Sequence, residues 1–246
     1  MLLRLLRSLA VDITMKQSEF DKFAHEYAEL HRANIAASGE DPEFFAEYKI
    51  RDLRDLSATP GRARPPGRIL DFGAGIGASV AHFRRYFPDA ELTCVDVSVA
   101  SLRIAAQRFP GAADFVAFDG RRLPFADGSF DCVFSACVFH HIEPALHVGL
   151  LSELRRVLQP GGLIMIFEHN PLNPLTVRAV RTCPFDENAI LIHASMLKER
   201  LVQAGFVGAA ARYRLFFPRT LRLLRPLERW MKWLPLGAQY YVFDVG

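Results

Sequence analysis

Residues 70–77 read Leu70-Asp71-Phe72-Gly73-Ala74-Gly75-Ile76-Gly77, an acid at the end of a short apolar run followed by glycine at three alternate positions. Glycine at this spacing permits a tight turn whose backbone can approach a ligand closely. A second acid, Asp96, ends the apolar run 92–95, nineteen residues after Gly77. A glycine-rich loop followed by an acid about 20 residues later is how an open α/β sheet holds an adenosine. These residues therefore predict a site for an adenosine-containing cofactor, and several such cofactors remain compatible with them.

The composition is that of an ordinary globular protein. The chain has 246 residues, half of them hydrophobic, and a net charge of +3. We therefore expect one main domain and find no charge argument for a nucleic-acid partner. No apolar run approaches the roughly 18 residues that a membrane-spanning helix needs.

The cysteines and histidines do not have the spacing of a zinc site. The chain has four cysteines, none of them in a CxxC pair: Cys94, Cys132, Cys137 and Cys183. His140 and His141 are its only adjacent histidines. We therefore expect no metal site, and reduced thiols in a cytoplasmic location.

Strand and helix patterns alternate from residue 61 to the end of the chain. Apolar runs typical of strands lie near 68–72, 91–95, 113–118, 130–136 and 162–168, with two late candidates at 208–217 and 238–245. Helical patterns lie between them, near 76–86, 98–108, 143–158 and 195–204. This alternation predicts an α/β fold with a mostly parallel sheet and helices on both faces.

The N-terminal part of the chain is predicted to be helical. Residues 18–60 have aromatic and aliphatic side chains at helical spacing, and Asp41 followed by Pro42 is a good start for a second helix. We expect these residues to form a helical cap on a main domain of residues 61–246, which carries insertions at 169–194 and 218–237. Residues 1–17 are expected to be a flexible extension, the alternative being an amphipathic surface helix.

The insertion at 218–237 is basic. From Arg212 to Lys232 there are seven basic residues and one acid. Four apolar residues recur at helical spacing: Leu221, Leu224, Leu227 and Met231. The segment is predicted to be either a lid over the substrate pocket or a helix on a membrane surface.

Five motifs follow one another in a fixed order and spacing over about residues 69–206. They are the loop 69–77, Val95-Asp96-Val97-Ser98, Asp119-Gly120, the run 123–131, and the turn Leu158-Gln159-Pro160-Gly161-Gly162 with the helix before it. Together they resemble class I S-adenosylmethionine-dependent methyltransferases. Val138-Phe139-His140-His141-Ile142 is most similar to the small-molecule branch that includes the ubiquinone and menaquinone methyltransferases.

The resemblance implies a fold and a reaction. The fold is a doubly wound, mostly parallel, seven-stranded Rossmann-like sheet with an antiparallel last strand, an N-terminal helical cap and a C-terminal inserted lid. The cofactor is S-adenosylmethionine, which is released as S-adenosylhomocysteine. The acceptor is a small molecule with an O, N or C nucleophile, and the acceptor itself is not indicated.

The matched motifs also supply candidates for cofactor binding. Asp96 is expected to accept both ribose hydroxyls, Asp71 to face the α-amine, and Asp119 to accept from the adenine amino group. The carbonyl of Ala136 is a second candidate partner for the α-amine. Tyr27 and Lys49 are candidates for the cofactor carboxylate. Gly73 and Gly75 let the backbone approach the methionine part, and Gly120 is expected beside the adenine ring. The remaining cofactor-binding candidates are Ala74, Gly77 and Val97.

Histidines follow the fourth and fifth strands and are the candidate general bases. His140 and His141 follow strand four, and His169 follows strand five, at the edge where open α/β sheets bind ligands. Glu168 is expected to support His169 as an acid–base pair. The alternative is that these histidines only pack in the core or orient the loop.

Other functions agree less well with the motifs. A nicotinamide-dependent oxidoreductase also uses a glycine-rich loop, but here Asp71 precedes the loop and the turn at 160–162 fits a methyltransferase. A nucleic-acid amino-methyltransferase would carry an Asn/Asp-Pro-Pro-aromatic motif after strand four, where this chain has Cys137-Val138-Phe139-His140. The alternatives kept are a non-catalytic S-adenosylmethionine-binding module and an enzyme that acts on a lipid-linked acceptor at the membrane surface.

Overall fold

A seven-stranded sheet forms the centre of the protein in the computed structural model, which describes residues 39–58 and 65–245. The strands are β1 (Arg68–Phe72), β2 (Glu91–Asp96), β3 (Asp114–Ala117), β4 (Phe130–Ala136), β5 (Leu158–His169), β6 (Ala210–Arg214) and β7 (Gln239–Val245). Their order is β3-β2-β1-β4-β5-β7-β6. Strands β1 to β5 pair in parallel, whereas β7 is antiparallel to both β5 and β6. The predicted doubly wound sheet with an antiparallel last strand is confirmed.

Helices cover both faces of this sheet. They are α1 (Pro42–Ser57), α2 (Val80–Tyr86), α3 (Val99–Arg108), α4 (His147–Val157), α5 (Pro174–Thr182), α6 (Ala194–Gln203) and α7 (Glu228–Met231). Short 3₁₀ helices lie at Phe139–His141, Pro144–Leu146, Pro184–Asp186 and Arg219–Leu227. None of the helices in the described ranges combines the length and the apolar character that crossing a bilayer requires.

The core has two layers because side chains alternate along each strand. On β5, Leu163, Met165 and Phe167 pack on one side with α1 and α2, whereas Ile164 and Ile166 pack on the other side with α4 and α6. All five are fully buried, and each contributes roughly 1.5–3 kcal/mol of hydrophobic stabilisation. With both faces covered, the carboxyl edge of the parallel strands is the place left for a ligand.

Helix α1 is held over that edge by polar contacts. Asp41 caps the helix by accepting from the Phe44 amide at 2.8 Å, with Pro42 in the first turn, as predicted. Asp52 forms a buried bidentate pair with Arg214, whose Nη2 donates to Oδ1 at 3.0 Å. The position of α1 is therefore fixed relative to β6. The helix predicted before it, and with it Tyr27, lies outside the described residues.

Three predicted boundaries were wrong for local reasons. The helix expected at 76–86 begins at Val80, because the glycine turn extends further. The helix expected from 143 begins as a separate 3₁₀ turn at Pro144 and becomes α-helical at His147. The predicted turn at 160–162 lies within β5, where the pairing with β4 shifts and a bulge absorbs the extra residues.

The basic segment is not the continuous amphipathic helix that its spacing predicts. Residues Arg219–Leu227 form a 3₁₀ helix with a non-helical Leu221, and Pro226 lies within it. Only Glu228–Met231 is α-helical beyond this point. Proline removes an amide donor and clashes with the preceding turn, so Pro226 is unfavourable in the interior of a regular α-helix, and the α-helix begins only at Glu228.

Candidate active site at the carboxyl edge of the sheet

A cavity of about 780 Å³ opens at the carboxyl ends of β1, β2, β4 and β5. Small-molecule sites in proteins have volumes of roughly 300–1,000 Å³. The lining includes the glycine loop, Asp96, and the histidines 140, 141 and 169. The cavity therefore brings most of the predicted cofactor-binding residues and the three candidate histidines to one place.

The glycine loop contains three residues with positive φ, Gly73, Gly75 and Gly77, and the first two face the cavity. Gly73 has φ +76°, and a Cβ there would lie 2.3 Å from the Val138 side chain. Gly75 has φ +52°, and a Cβ there would meet nothing within 4 Å. Gly73 is therefore required by packing, whereas Gly75 keeps the backbone open to the cavity.

Asp96 connects the loop to the second strand. Its Oδ2 accepts from the Gly75 amide at 2.8 Å and its Oδ1 accepts from the Ser98 amide at 2.8 Å. Ser98, in turn, caps α3 by accepting from the Ser101 amide. The carboxylate thus holds the turn in shape and also lines the cavity.

Asp71 is a buried carboxyl beneath the loop. Its Oδ2 has no hydrogen-bond partner among the described residues. Burial and the neighbouring Asp96 raise the pKa of Asp71 from 3.8 to about 7, against the opposing effect of Lys49. A buried acceptor without a donor is costly, and an α-ammonium group would supply one. Together with the open backbone at Gly75, this makes the pocket a good fit for S-adenosylmethionine.

The other cofactor-binding candidates divide into two groups. Five of them line the cavity: Lys49, Ala74, Val97, Gly120 and Ala136. Gly77 does not, because it lies against α3, where a Cβ would be 3.0 Å from that of Ala105. Asp119 is exposed, and its Oδ1 accepts from the amides of Arg121 and Arg122 at 2.9 Å. Its contact with adenine stays a prediction.

A strained turn follows β4 and carries a thiol that the sequence reasoning missed. Cys137 has φ +59°, which is unusual for a residue with a side chain. Lys49 Nζ lies 3.4 Å from its Sγ, and Gln239 Nε2 lies 3.7 Å away. Burial alone would raise the pKa of this thiol, but Lys49 and His169 lower it to about 7.

His140 is enclosed between two carboxylates. Its Nδ1 donates to Glu168 Oε2 at 2.6 Å, and its Nε2 lies 3.6 Å from Asp186 Oδ1. The side chain is only 1% exposed. Burial alone would lower the pKa of His140, but Glu168 and Asp186 together raise it to about 10.

His141 lies beside this pair and nearer the opening. Its Nε2 is 3.3 Å from Asp186 Oδ1, and its ring centroid is 4.1 Å from that of His140. Burial and the cationic His140 lower the pKa of His141 to about 3. The two rings titrate as a pair, in which His140 holds the proton because it lies between the carboxylates.

The predicted pairing of Glu168 with His169 was wrong. The two residues are consecutive on β5, so their side chains point to opposite faces of the sheet. Glu168 is buried, and its Oε1 accepts from the amides of Val138 and Phe139 at 3.2 and 2.8 Å. His169 lines the cavity, and its Nδ1 accepts from Gln239 Nε2 at 3.3 Å.

Asp186 is the main functional candidate that the sequence analysis missed. It belongs to the insertion at 169–194 and reaches the histidines through the 3₁₀ helix Pro184–Asp186. No spacing rule connects it to His141, 45 residues earlier in the chain. The expectation of no metal site rested on such spacing, whereas the ligand atoms of His140, His141 and Asp186 all lie within 4.8 Å of one another.

Comparisons with known proteins agree with this geometry. A family model described as a methyltransferase domain matches residues 70–166. The demethylmenaquinone methyltransferase of Streptomyces griseus is 30% identical over 168 residues, which are 68% of this chain and 71% of that protein. The demethylmenaquinone methyltransferase of Beutenbergia cavernae is 41% identical over 106 residues, which span only 42% of that protein and 43% of this chain.

The fold is shared with solved structures as well. A crystal structure of an S-adenosylmethionine-dependent methyltransferase from Thermotoga maritima matches with a TM-score of 0.65 at 17% identity, covering 94% of this chain and 99% of that one. At this identity the match shows the fold alone. The sequence match over 71% of the Streptomyces griseus enzyme shows the family. The chain belongs to the class I S-adenosylmethionine-dependent methyltransferases.

Proposed function

We propose that this chain transfers a methyl group from S-adenosylmethionine to a small-molecule acceptor. One observation carries the proposal: a single cavity is lined both by the glycine loop and Asp96, at the edges of β1 and β2, and by His141 and Asp186, beyond β4. We call these two parts its donor end and its acceptor end. A donor and an acceptor bound in it would be neighbours. A purely structural or binding module would not need titratable groups beside its cofactor pocket.

The donor end of the cavity has the groups that S-adenosylmethionine needs. Asp96 offers a carboxylate to the ribose hydroxyls, Asp71 offers its buried oxygen to the α-amine, and Gly75 leaves the backbone accessible. When bound, the cofactor supplies an electrophilic methyl group on a sulfonium. The chain's own contribution is to fix the direction of that methyl group, and alignment contributes up to ~7–11 kcal/mol to such reactions.

The acceptor end combines apolar walls with the histidine cluster. Apolar side chains from α4, from the segment before it and from the segment after β6 line the cavity: Ile142, Leu146, Leu150, Phe216 and Phe217. His141 and Asp186 provide the polar contacts, and Glu168 orients the cluster from behind by holding His140. A group that removes the acceptor's proton accelerates such a transfer by about 10²–10⁴-fold. This end suits a largely apolar acceptor with one ionisable nucleophile.

The names of the relatives suggest a first acceptor to test. The two relatives described above are demethylmenaquinone methyltransferases, and the apolar walls are compatible with an aromatic quinol. The assay measures S-adenosylhomocysteine and methylated product by mass spectrometry, with demethylmenaquinol, simple phenols and amines as acceptors. We expect product and S-adenosylhomocysteine in equal amounts. If the cofactor binds and no acceptor raises S-adenosylhomocysteine above the acceptor-free rate, the chain is a binding module.

A second candidate, transfer to a lipid-linked acceptor at a membrane surface, has its own structural support. The exposed large apolar side chains of the basic segment and its neighbourhood are Leu175, Leu221, Leu223, Leu224, Leu227, Trp230, Trp233 and Leu236. Leu175 and Arg225 also line the cavity. Arginine with tryptophan on an apolar surface suits a lipid interface. This surface adjoins the cavity mouth, so an acceptor could pass from the membrane into the site.

We also propose how the chain is divided into parts and where the protein acts. Residues 18–60 would form a helical cap, residues 61–246 the methyltransferase domain, and the protein would be cytoplasmic with peripheral membrane contact. Flotation with vesicles of phosphatidylglycerol tests that contact. Binding to anionic vesicles and not to neutral phosphatidylcholine vesicles supports the membrane contact. If the protein floats with neither, the segment 218–237 is better explained as a lid over the substrate pocket.

A further inference from the structure

The histidine cluster has the spacing of metal ligands. Nε2 of His140 and Nε2 of His141 lie 3.6 and 3.3 Å from the same oxygen, Asp186 Oδ1. All three ligand atoms fall within 4.8 Å of one another. Nitrogen and oxygen bind zinc at about 2.0–2.2 Å in tetrahedral geometry, which separates neighbouring ligand atoms by roughly 3.3–3.6 Å. The two nitrogen–oxygen separations fall in this range, and the two histidine ligand atoms lie no more than 4.8 Å apart.

The surroundings of His140 are those of a metal-bound histidine. Its Nδ1 donates to Glu168 Oε2 at 2.6 Å, and its Nε2 faces Asp186, so an ion that displaces the Nε2 proton would meet a lone pair directed toward Asp186. A carboxylate behind the ligating histidine fixes its tautomer and orientation in many metal sites. Glu168 is itself held by the amides of Val138 and Phe139, and the His140 carbonyl accepts from the Ile190 amide at 2.8 Å. Both ring and backbone of His140 are therefore positioned in advance.

The cluster also faces the cavity. His140, His141 and Asp186 all line it, so an ion bound by the three would keep a coordination position open toward the acceptor. Structural zinc sites are closed by four protein ligands, whereas catalytic sites have three and leave one position open. Two imidazoles and one carboxylate suit zinc and the neighbouring divalent transition metals.

We propose that His140, His141 and Asp186 form an open site for a divalent transition-metal ion, which binds the nucleophilic atom of the methyl acceptor. The proposal rests on the proposed methyl transfer and adds the chemistry at its acceptor end. A hydroxyl or thiol bound to the ion loses its proton to cavity water more readily. The resulting anion forms the new bond to the methyl carbon. The C–S bond breaks with its electron pair kept by sulfur, and each turnover releases one proton.

The test measures metal binding directly, on full-length protein free of any affinity tag and stripped with a chelator. Co²⁺ is titrated in and followed by its visible absorption, and Zn²⁺ is then added in competition. We expect one ion per chain. His141→Gln and Asp186→Asn should each weaken binding by at least about 100-fold. Glu168→Gln, which removes only the supporting carboxylate, should weaken it about 10–100-fold.

His193→Gln is the matched control, because His193 is exposed at the start of α6; this variant should bind as the wild type does. Retained affinity for S-adenosylhomocysteine shows that each variant is folded. The proposal is overturned if the wild type binds no ion, or if binding survives both His141→Gln and Asp186→Asn. Methyl transfer that continues in the chelated enzyme would overturn the metal site and leave the proposed function intact. If an ion binds but no acceptor is methylated, the metal site stands and the proposed methyl transfer is contradicted.

Discussion

The two ends of the cavity are built in different ways. At the donor end the loop 73–77 and Asp96 belong to neighbouring parallel strands, β1 and β2, and contact each other directly, with the Gly75 amide donating to Asp96 at 2.8 Å. At the acceptor end, His140, Glu168 and Asp186 come from three separate segments and meet only through the tertiary fold. The donor end is therefore built from two neighbouring strands, whereas the acceptor end is assembled from segments that lie far apart in the chain.

This difference predicts that the two ends can be damaged independently. Changes at the acceptor end should lower the rate and spare cofactor affinity, whereas changes at the donor end should lower cofactor affinity. His141→Gln and Asp96→Ala together test that separation.

The largest effect is expected from His141→Gln. It removes the imidazole nearest the acceptor, so kcat should fall by about 10²–10⁴-fold. Affinity for S-adenosylhomocysteine, measured by calorimetry, should change less than about twofold, since His141 takes no part in the donor contacts. His193→Gln should keep the wild-type kcat. If His141→Gln instead lost affinity for S-adenosylhomocysteine and kept the wild-type kcat, the two ends of the cavity would not be independent.

Asp71→Asn should show that the buried Asp71 carboxylate lowers the free energy of unfolding of the cofactor-free protein. The folded-state pKa of Asp71, about 7, lies above its ordinary value of 3.8, so the folded state binds this proton more tightly than the unfolded state. The free energy of unfolding therefore falls as pH rises from about 4 to about 7 and then levels off. Above pH 7 the wild type should be less stable than Asp71→Asn by roughly 2–4 kcal/mol.

Urea unfolding of both proteins between pH 4 and pH 8 measures this effect. The two curves should converge near pH 4, and the variant should have lost affinity for the cofactor. Asp114→Asn, an exposed change at the start of β3, should show no such divergence. A stability difference between wild type and Asp71→Asn that is constant with pH would contradict the assignment.

Asp96→Ala should weaken S-adenosylhomocysteine binding by about 10–150-fold, because a hydrogen bond to a charged group contributes about 1.5–3 kcal/mol. At saturating cofactor, kcat should change far less than in His141→Gln. Asp89→Asn, an exposed carboxylate before β2, is the control. Unchanged affinity in Asp96→Ala would remove this residue from the donor site.

The same contrast explains what the sequence could predict. The alternation of apolar runs and the glycines at 73 and 75 are local patterns, so the strands and the donor loop could be placed without a structure. Glu168 was given the wrong partner, although strand alternation already placed it on the face opposite His169. Asp186 could not be found, because only folding brings its insertion beside His141.

The basic segment marks another limit of local patterns. Its spacing indicated a single amphipathic helix, but Pro226 lies within it and the backbone departs from helical geometry at Leu221. Pro226 was therefore a better guide to the local backbone structure than the helical spacing of the apolar residues around it.

The smallest effect is expected at the proposed membrane surface, outside both ends of the cavity. Leu223 is 88% exposed in the basic segment. Leu223→Ser should weaken binding to anionic vesicles by roughly three- to tenfold, because partial insertion recovers about half of the ~1.5–3 kcal/mol that full burial of a leucine contributes. Val207 is 95% exposed before β6, toward the opposite edge of the sheet. Val207→Ser should leave flotation unchanged, and equal effects of the two changes would rule out a specific surface.

A crystal structure with S-adenosylhomocysteine tests most directly whether one cavity joins the donor and acceptor ends. We predict that the ribose lies at Asp96, the α-amine at Asp71, and the sulfur on the side of the cavity that faces His141 and Asp186. Adenosine bound elsewhere, or a sulfur separated from His141 by the wall of the pocket, would contradict the account.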